Sequence, residues 1–178
     1  MTVKSRKSID TGPGGPHGDI VIAINERYVM QDWRKTCHPD ILRVLTYWED
    51  KCRGRVMPRR ADIDPVEISR FLPNITLVDV VADERRFIYR LVGTAEVQLR
   101  GNDPTGKSIM EAFFGRSQAT VLSKYEEVCR SCAPFYEEDD YQVVDRYVSD
   151  ANLFLPLSED GKVVNKILVF SINRDLDQ

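Results

Sequence analysis

The residue pair best suited to redox or metal chemistry is Cys129-Arg130-Ser131-Cys132, a spacing that serves thiol exchange or half of a zinc site. It falls at the end of a helical pattern, where the macrodipole disfavours thiolate, whereas the redox motif usually begins a helix. Only Cys37, His38 and Cys52 are available as distant partners, so a packing role is expected and no metal. Glu137-Glu138-Asp139-Asp140 offers oxygen ligands for a hard cation. Without a loop to fix their geometry, such carboxylates read as a solvated strand edge that deters unwanted pairing. The basic run Lys51, Arg53, Arg55, Arg59 and Arg60 lies beside Asp62 and Asp64. It reads as a solvated linker rather than a phosphate-binding patch.

Catalysis finds little support. The two histidines are His17 and His38; there is no Ser/His/Asp set and no phosphate-cradling glycine loop. His38 precedes a helix and is suited to capping it. The balance of 25 basic against 28 acidic residues gives a formal charge of −3 and a pI near 5.5, without the positive field that nucleic-acid binding draws on. No apolar run approaches the ~18 residues of a membrane span. The segment Ile20–Ile24 is too short and too late for a secretory signal, so a cytoplasmic location with reduced thiols is expected.

With 178 residues, 42% of them hydrophobic, the chain fits one domain with a real core. Residues 1–18 contain Gly12-Pro13-Gly14-Gly15-Pro16 and almost nothing apolar, the composition of a tail. Residues 19–30 admit a short strand or a surface segment. Residues 1–38 are therefore expected to be tail and lead-in, with the domain over 39–178.

From Pro39 to Cys52 the spacing of Ile41, Leu45, Trp48 and Cys52 predicts an amphipathic helix closed by Gly54. Asp64-Pro65-Val66-Glu67 reads as a capping box opening a short helix to about Phe71. Ile75–Val81 and Phe87–Val92 read as a hairpin. Thr94–Arg100 is a short helix ended by Gly101, Ser108 and Glu111 cap another, and Ser117–Cys132 forms a second long helix stopped by Pro134. Strands are expected at Phe135–Val148, Leu153–Leu157 and Val163–Ile172. The last of these is apolar on both parities at Ile167–Phe170, so both faces of the sheet need cover.

The order helix, two strands, helices, three strands resembles the PAS fold: α+β, a five-stranded antiparallel sheet with helices on one face and an N-terminal amphipathic cap helix. The segments Leu45-Thr46-Tyr47-Trp48, Met57 to Pro65, Phe71-Leu72-Pro73, Tyr89 to Thr94 and Leu155 to Gly161 resemble a family of small single-domain bacterial PAS proteins. The resemblance implies a sensory or signalling module without enzymatic activity that takes a small ligand, a signalling protein partner or both. The alternative is a scaffold module with a filled core.

The resemblance leaves the cofactor open. Neither histidine falls on the central helices where a haem ligand is needed. Thr94–Arg100 carries no cysteine for flavin photochemistry of the light-oxygen-voltage kind. In such a fold the pocket candidates are Tyr89, Leu91, Thr94, Phe113, Phe114, Tyr125 and Phe154. Phe135 and Leu155 complete the expected core. Leu42 and Val44 widen the apolar stripe of the first helix, so a homodimer is expected through Ile41, Leu42, Leu45 and Trp48.

Overall fold

The computed structural model describes residues 33–114, 117–143 and 146–175. The expected tail over 1–18 and possible strand over 19–30 lie outside the described residues. Helix α1 runs over Pro39–Cys52, as the stripe predicts. His38 caps it: the Asp40 amide donates to His38 Nδ1 at 3.1 Å. Arg53 and Gly54 close it in the left-handed region, with φ of 48° and 81°.

Strands β1 (Ile75–Val80) and β2 (Phe87–Leu91) form the hairpin, followed by α2 (Thr94–Arg100) and α3 (Gln118–Ser131). Strands β3 (Phe135–Val143), β4 (Arg146–Leu157) and β5 (Lys166–Asp175) complete one antiparallel sheet ordered β2-β1-β5-β4-β3. The expected strand Phe135–Val148 is thus two strands: Arg146 already pairs with Val143, and β4 is longer at its start than the leucine alternation indicated.

Two short helices expected from capping signals are not α-helices. Asp64 does cap, its Oδ1 accepting from the Val66 amide at 2.9 Å. Glu67, however, pairs with Lys51 instead of reaching back, and the helical hydrogen bonding that follows is a 3-10 segment over Ser69–Asn74. A proline at position 73, which has no amide hydrogen to donate, is consistent with that tighter form. Ser108 and Glu111 satisfy each other, with the Ser108 amide donating to Glu111 at 2.9 Å, but close a single turn.

Alternation along the strands divides the sheet into two faces. Ile75, Leu77, Leu153, Leu155, Leu168 and Phe170 point to the face covered by α1 and the 57–74 segment. Thr76, Val78, Tyr89, Asn152, Phe154 and Val169 point to the face covered by α2 and α3. On the first face Trp48 is buried, and its Nε1 donates to the Pro156 carbonyl at 2.9 Å. β3 pairs with β4 only as far as Phe154, so on that side the Pro156 carbonyl lies beyond the strand pairing and the indole both packs and supplies its donor. Ile41, Val44 and Leu45 are buried beside it.

The apolar width of α1 therefore serves its own sheet. The outward face carries Arg43, Thr46, Glu49 and Asp50, and of the four residues assigned to a dimer interface only Leu42 remains part-exposed. Trp33, before α1, stacks on Tyr136 of β3 with ring centroids 4.6 Å apart.

Gly93 joins the two layers. A Cβ there would lie 2.2 Å from the Pro73 carbonyl oxygen, so the chain turns from β2 into α2 only by pressing bare backbone against the 3-10 segment.

Replacing Trp48 by Ala should cost about 3–5 kcal/mol, since it opens a cavity and orphans the Pro156 carbonyl. Trp48→Phe, which keeps most of the packing and loses the donor, should cost clearly less. Urea denaturation of both variants checks the pair: a loss below about 1 kcal/mol for the alanine variant would place the side chain at the surface.

Candidate functional site

Between α2, α3 and the inner face of the sheet lies a cavity of about 70 Å³. Its polar wall is assembled from three groups. The first comes from α2, where the i, i+4 spacing puts Glu96 and Arg100 on one side of the helix. Arg100 Nε donates to Glu96 at 3.2 Å, Nη2 donates to the Tyr89 hydroxyl at 3.3 Å, and Nη1 donates to the Ala112 carbonyl at 3.0 Å. Its guanidinium lies 5.2 Å from the ring centroids of both Tyr89 and Phe114. Asn173 of β5 donates to the other Glu96 oxygen at 3.0 Å.

The second group is the ion pair of Lys124 on α3 with Glu137 on β3, whose side chains are 10% and 16% exposed. The third crosses the strand floor. Ser171 Oγ donates to Asn152 Oδ1 at 2.6 Å, and Asn152 Nδ2 donates to Asp150 at 2.6 Å. Thr76 completes the polar lining; Val121, Tyr125, Phe154 and Val169 supply the apolar remainder.

Aromatic edges seal one end. Tyr125 meets Phe154 at 5.3 Å in an edge-on arrangement and Phe87 at 5.3 Å, while Phe135 meets Phe154 at 5.8 Å. Burial pushes the Tyr125 hydroxyl well above its ordinary range, and burial raises Tyr89 as well, against the opposing influence of Arg100. Both phenols are neutral hydrogen-bonding groups at physiological pH.

Of the seven residues singled out from the sequence, Tyr89, Phe114, Tyr125 and Phe154 line this cavity. Leu91 and Thr94 do not: both border an apolar slot on the opposite face, since Leu91 pairs with Leu77 on the outward parity and Thr94 only begins α2. Phe113 is 44% exposed, in the turn region between the helices. The charged lining escaped the sequence reading. The acidic run predicts a solvated edge for Glu137; it points inward instead and pairs with Lys124, while Glu138 on the opposite parity is exposed, as is Asp139 further along the strand. The available signals were the i, i+4 pair on α2 and the polar residues Asp150, Asn152 and Ser171, which share a strand parity with Phe154 and Val169.

Neither cysteine nor histidine lines the cavity. No cluster of three or more His, Cys, Asp or Glu suited to a metal ion occurs among the described residues. Cys129 and Cys132 lie at the far end of α3, where burial pushes the Cys129 thiol up to about 11.

A variant keeping Cys129 as its one cysteine should be labelled by a disulfide reagent at a rate that climbs roughly tenfold per pH unit between pH 8 and 10. A plateau by pH 9 would show that the thiol is not raised by burial. For the ion pair, Lys124→Met should cost about 3 kcal/mol by removing the cation beside a nearly buried carboxylate. Lys124→Met with Glu137→Leu should recover much of that loss. Chemical denaturation of Lys124→Met, Glu137→Leu and the double variant measures the coupling; a loss in the double equal to the sum of the two single losses would mean that the pair is effectively solvated.

Residues 36–169 match the PAS domain family profile. No curated protein matches the chain. Among solved structures, the chain is similar to the PAS domain of Bordetella pertussis BvgS, with 21% identity, 63% of this chain and 88% of that one covered, and a TM-score of 0.47. It is also similar to the PAS domain of an HTR-like protein from Haloarcula marismortui, with 18% identity, coverage of 62% and 90%, and a TM-score of 0.41. A third is the LOV domain of the Erythrobacter litoralis EL346 blue-light activated histidine kinase, with 13% identity, coverage of 57% and 94%, and a TM-score of 0.43. The family profile spans most of the chain, from just before α1 to within β5, and on that match the protein belongs to the PAS domain family.

Proposed function

We propose that this chain is a sensory module in which a small polar molecule occupies the cavity between α2, α3 and the sheet, and in which occupancy is passed on by protein contact. PAS domains are generally sensory rather than catalytic, and the reading is of a binding protein, not an enzyme. The observation that carries it is the charged lining. Two ion pairs, Glu96–Arg100 and Lys124–Glu137, are held nearly dry around a void, an arrangement that adds little net stability compared with apolar packing. An apolar cavity with a few convergent polar groups is the usual form of a small-molecule site.

The size of the void sets the ligand class. At about 70 Å³ it has room for a few waters or a molecule of a handful of non-hydrogen atoms, and is far smaller than a flavin or haem site. Its donors and acceptors fit a hydroxyl, carboxyl, amino or amide group, with the apolar patch of Val121, Phe154 and Val169 left for a short carbon stem.

The output side is a signalling partner or a second copy of the chain. Leu42 is the α1 residue left to meet either, with Ile41, Leu45 and Trp48 already engaged on their own sheet. A cytoplasmic location fits this reading, and no helix among the described residues is long and apolar enough to cross a membrane. The same small volume favours one second reading, a scaffold module whose core is completed by water.

The two readings part on ligand-induced stabilisation. A panel of small polar metabolites at millimolar concentration should include one that stabilises, by about 2.7 kcal/mol where its concentration reaches about 100 times its dissociation constant. For a chain of this size that is roughly 5–10 °C in a thermal scan. Val121→Phe, which fills the cavity from α3, should abolish the shift while leaving the fold intact. No stabilisation across the panel, together with no small molecule retained in native mass spectrometry, decides for the scaffold.

A further inference from the structure

The opposite face of the sheet carries a second depression, an apolar slot of about 500 Å³ bounded by the 60–73 segment on one side and by the end of β2 on the other. Its floor is Ile75, Leu77 and Leu168, exposed by only 4%, 9% and 4%, while Leu72 and Leu91 at the mouth are 38% and 49% exposed. The floor side chains lie at the bottom of the depression, and the two leucines at its mouth are left to be covered by an occupant.

The charge at its edge is of one sign. Leu77, Leu91 and Arg60 continue from the slot into an adjoining depression that also holds Arg90 and Lys166. Lys166 is paired with Asp79. Arg60 donates through Nη1 to the Ile63 carbonyl at 3.0 Å, leaving its other nitrogens available. Arg90 makes no hydrogen bond or ion pair among the described residues, and the sheet register explains where it sits. Leu77 pairs with Leu91 but Val78 pairs with Tyr89, so Arg90 is the unopposed residue of an irregularity in β2, the kind of feature that re-aims a side chain. No carboxylate lines either depression.

We propose that this slot binds a free medium- to long-chain fatty acid, its acyl chain lying over Leu77, Ile75 and Leu168 and its carboxylate meeting Arg60 and Arg90. An apolar volume of this size with a few convergent polar groups is the usual form of a small-molecule site. Guanidinium groups recognise carboxylates through paired N–H donors. The inner cavity is too small for such a ligand, so the two sites are distinct.

The test is calorimetric titration of the full chain with dodecanoate kept below its micelle concentration. The expected result is saturable one-to-one binding, with dodecyltrimethylammonium, which has the same tail and the opposite head, at least tenfold weaker on the unaltered protein. Arg60→Gln with Arg90→Gln should weaken dodecanoate at least tenfold, and Leu91→Glu, at a half-exposed position, should abolish binding without lowering the thermal midpoint. Absence of saturable binding, equal affinity for the two heads, or undiminished affinity in the double arginine variant overturns the proposal. A dimer that Leu91→Glu dissociates, in a protein that does not bind dodecanoate, would show that a second copy is the occupant instead.

Discussion

Everything in this fold depends on keeping both faces of β4, β5 and β1 out of water. A five-stranded antiparallel sheet can leave one face wet, but here residues 151–158 are all buried, whichever way they point. Two independent covers are therefore required. The helices that follow β2 supply one; the other has to come from before β1, and α1 with the 57–74 segment provides it. The Trp48 indole fixes that second cover to the sheet. Its hydrogen bond to the Pro156 carbonyl sets the position of α1 along β4, where apolar packing alone would tolerate sliding.

The two faces are closed by different physics. The α1 face is almost wholly aliphatic and aromatic, with Phe71 edge-on to Phe170 at 5.3 Å, and its stability is that of ordinary burial. The α2–α3 face mixes phenylalanine with Asp150, Asn152, Ser171 and two ion pairs, all of which must be satisfied locally because water is mostly excluded. Hydrogen bonds run from strand to strand and from helix to strand, so the positions of α2 and α3 over the sheet are tied to polar contacts that a bound molecule can exchange for its own. That possibility of exchange is the physical ground on which a small polar ligand is proposed for the inner face, while the apolar slot of the α1 face offers only burial.

The order and type of the long elements were legible because period and punctuation agreed. The helix over Pro39–Cys52 has its stripe, its cap and its glycine stop; α2 has its stop at Gly101, and α3 has its stripe, Pro134 after its end and a cap in which Ser117 accepts from the Thr120 amide at 3.2 Å. Capping signals alone misled. Ser108–Glu111 and Asp64–Glu67 carry the right residues, but Gly115 and Pro73 follow before the apolar positions can extend past two turns, so each yields a turn or a 3-10 segment. The site was half legible for a similar reason. Aromatic residues announce a core whichever face they join; Glu137 shares the parity of Phe135, but within an acidic run that parity is masked by the expectation of solvent. The outward turn of Leu91 depends on strand register, which period-2 reasoning cannot carry across the irregularity in β2.

That irregularity in β2 also explains how five residues serve two sites. In a regular strand Tyr89 and Leu91 would share a face. With Arg90 unopposed, Tyr89 turns inward to Arg100, and Leu91 turns outward beside Leu77. Immediately after, Gly93 lies against the Pro73 carbonyl, which holds the start of α2 to the segment that walls the outer slot. The inner cavity and the outer slot thus share one backbone determinant, from Tyr89 to Gly93. Any shift in the β1–β2 register would withdraw Tyr89 from the cavity and Arg90 and Leu91 from the slot together, because a one-residue slip exchanges the faces of every side chain in the strand.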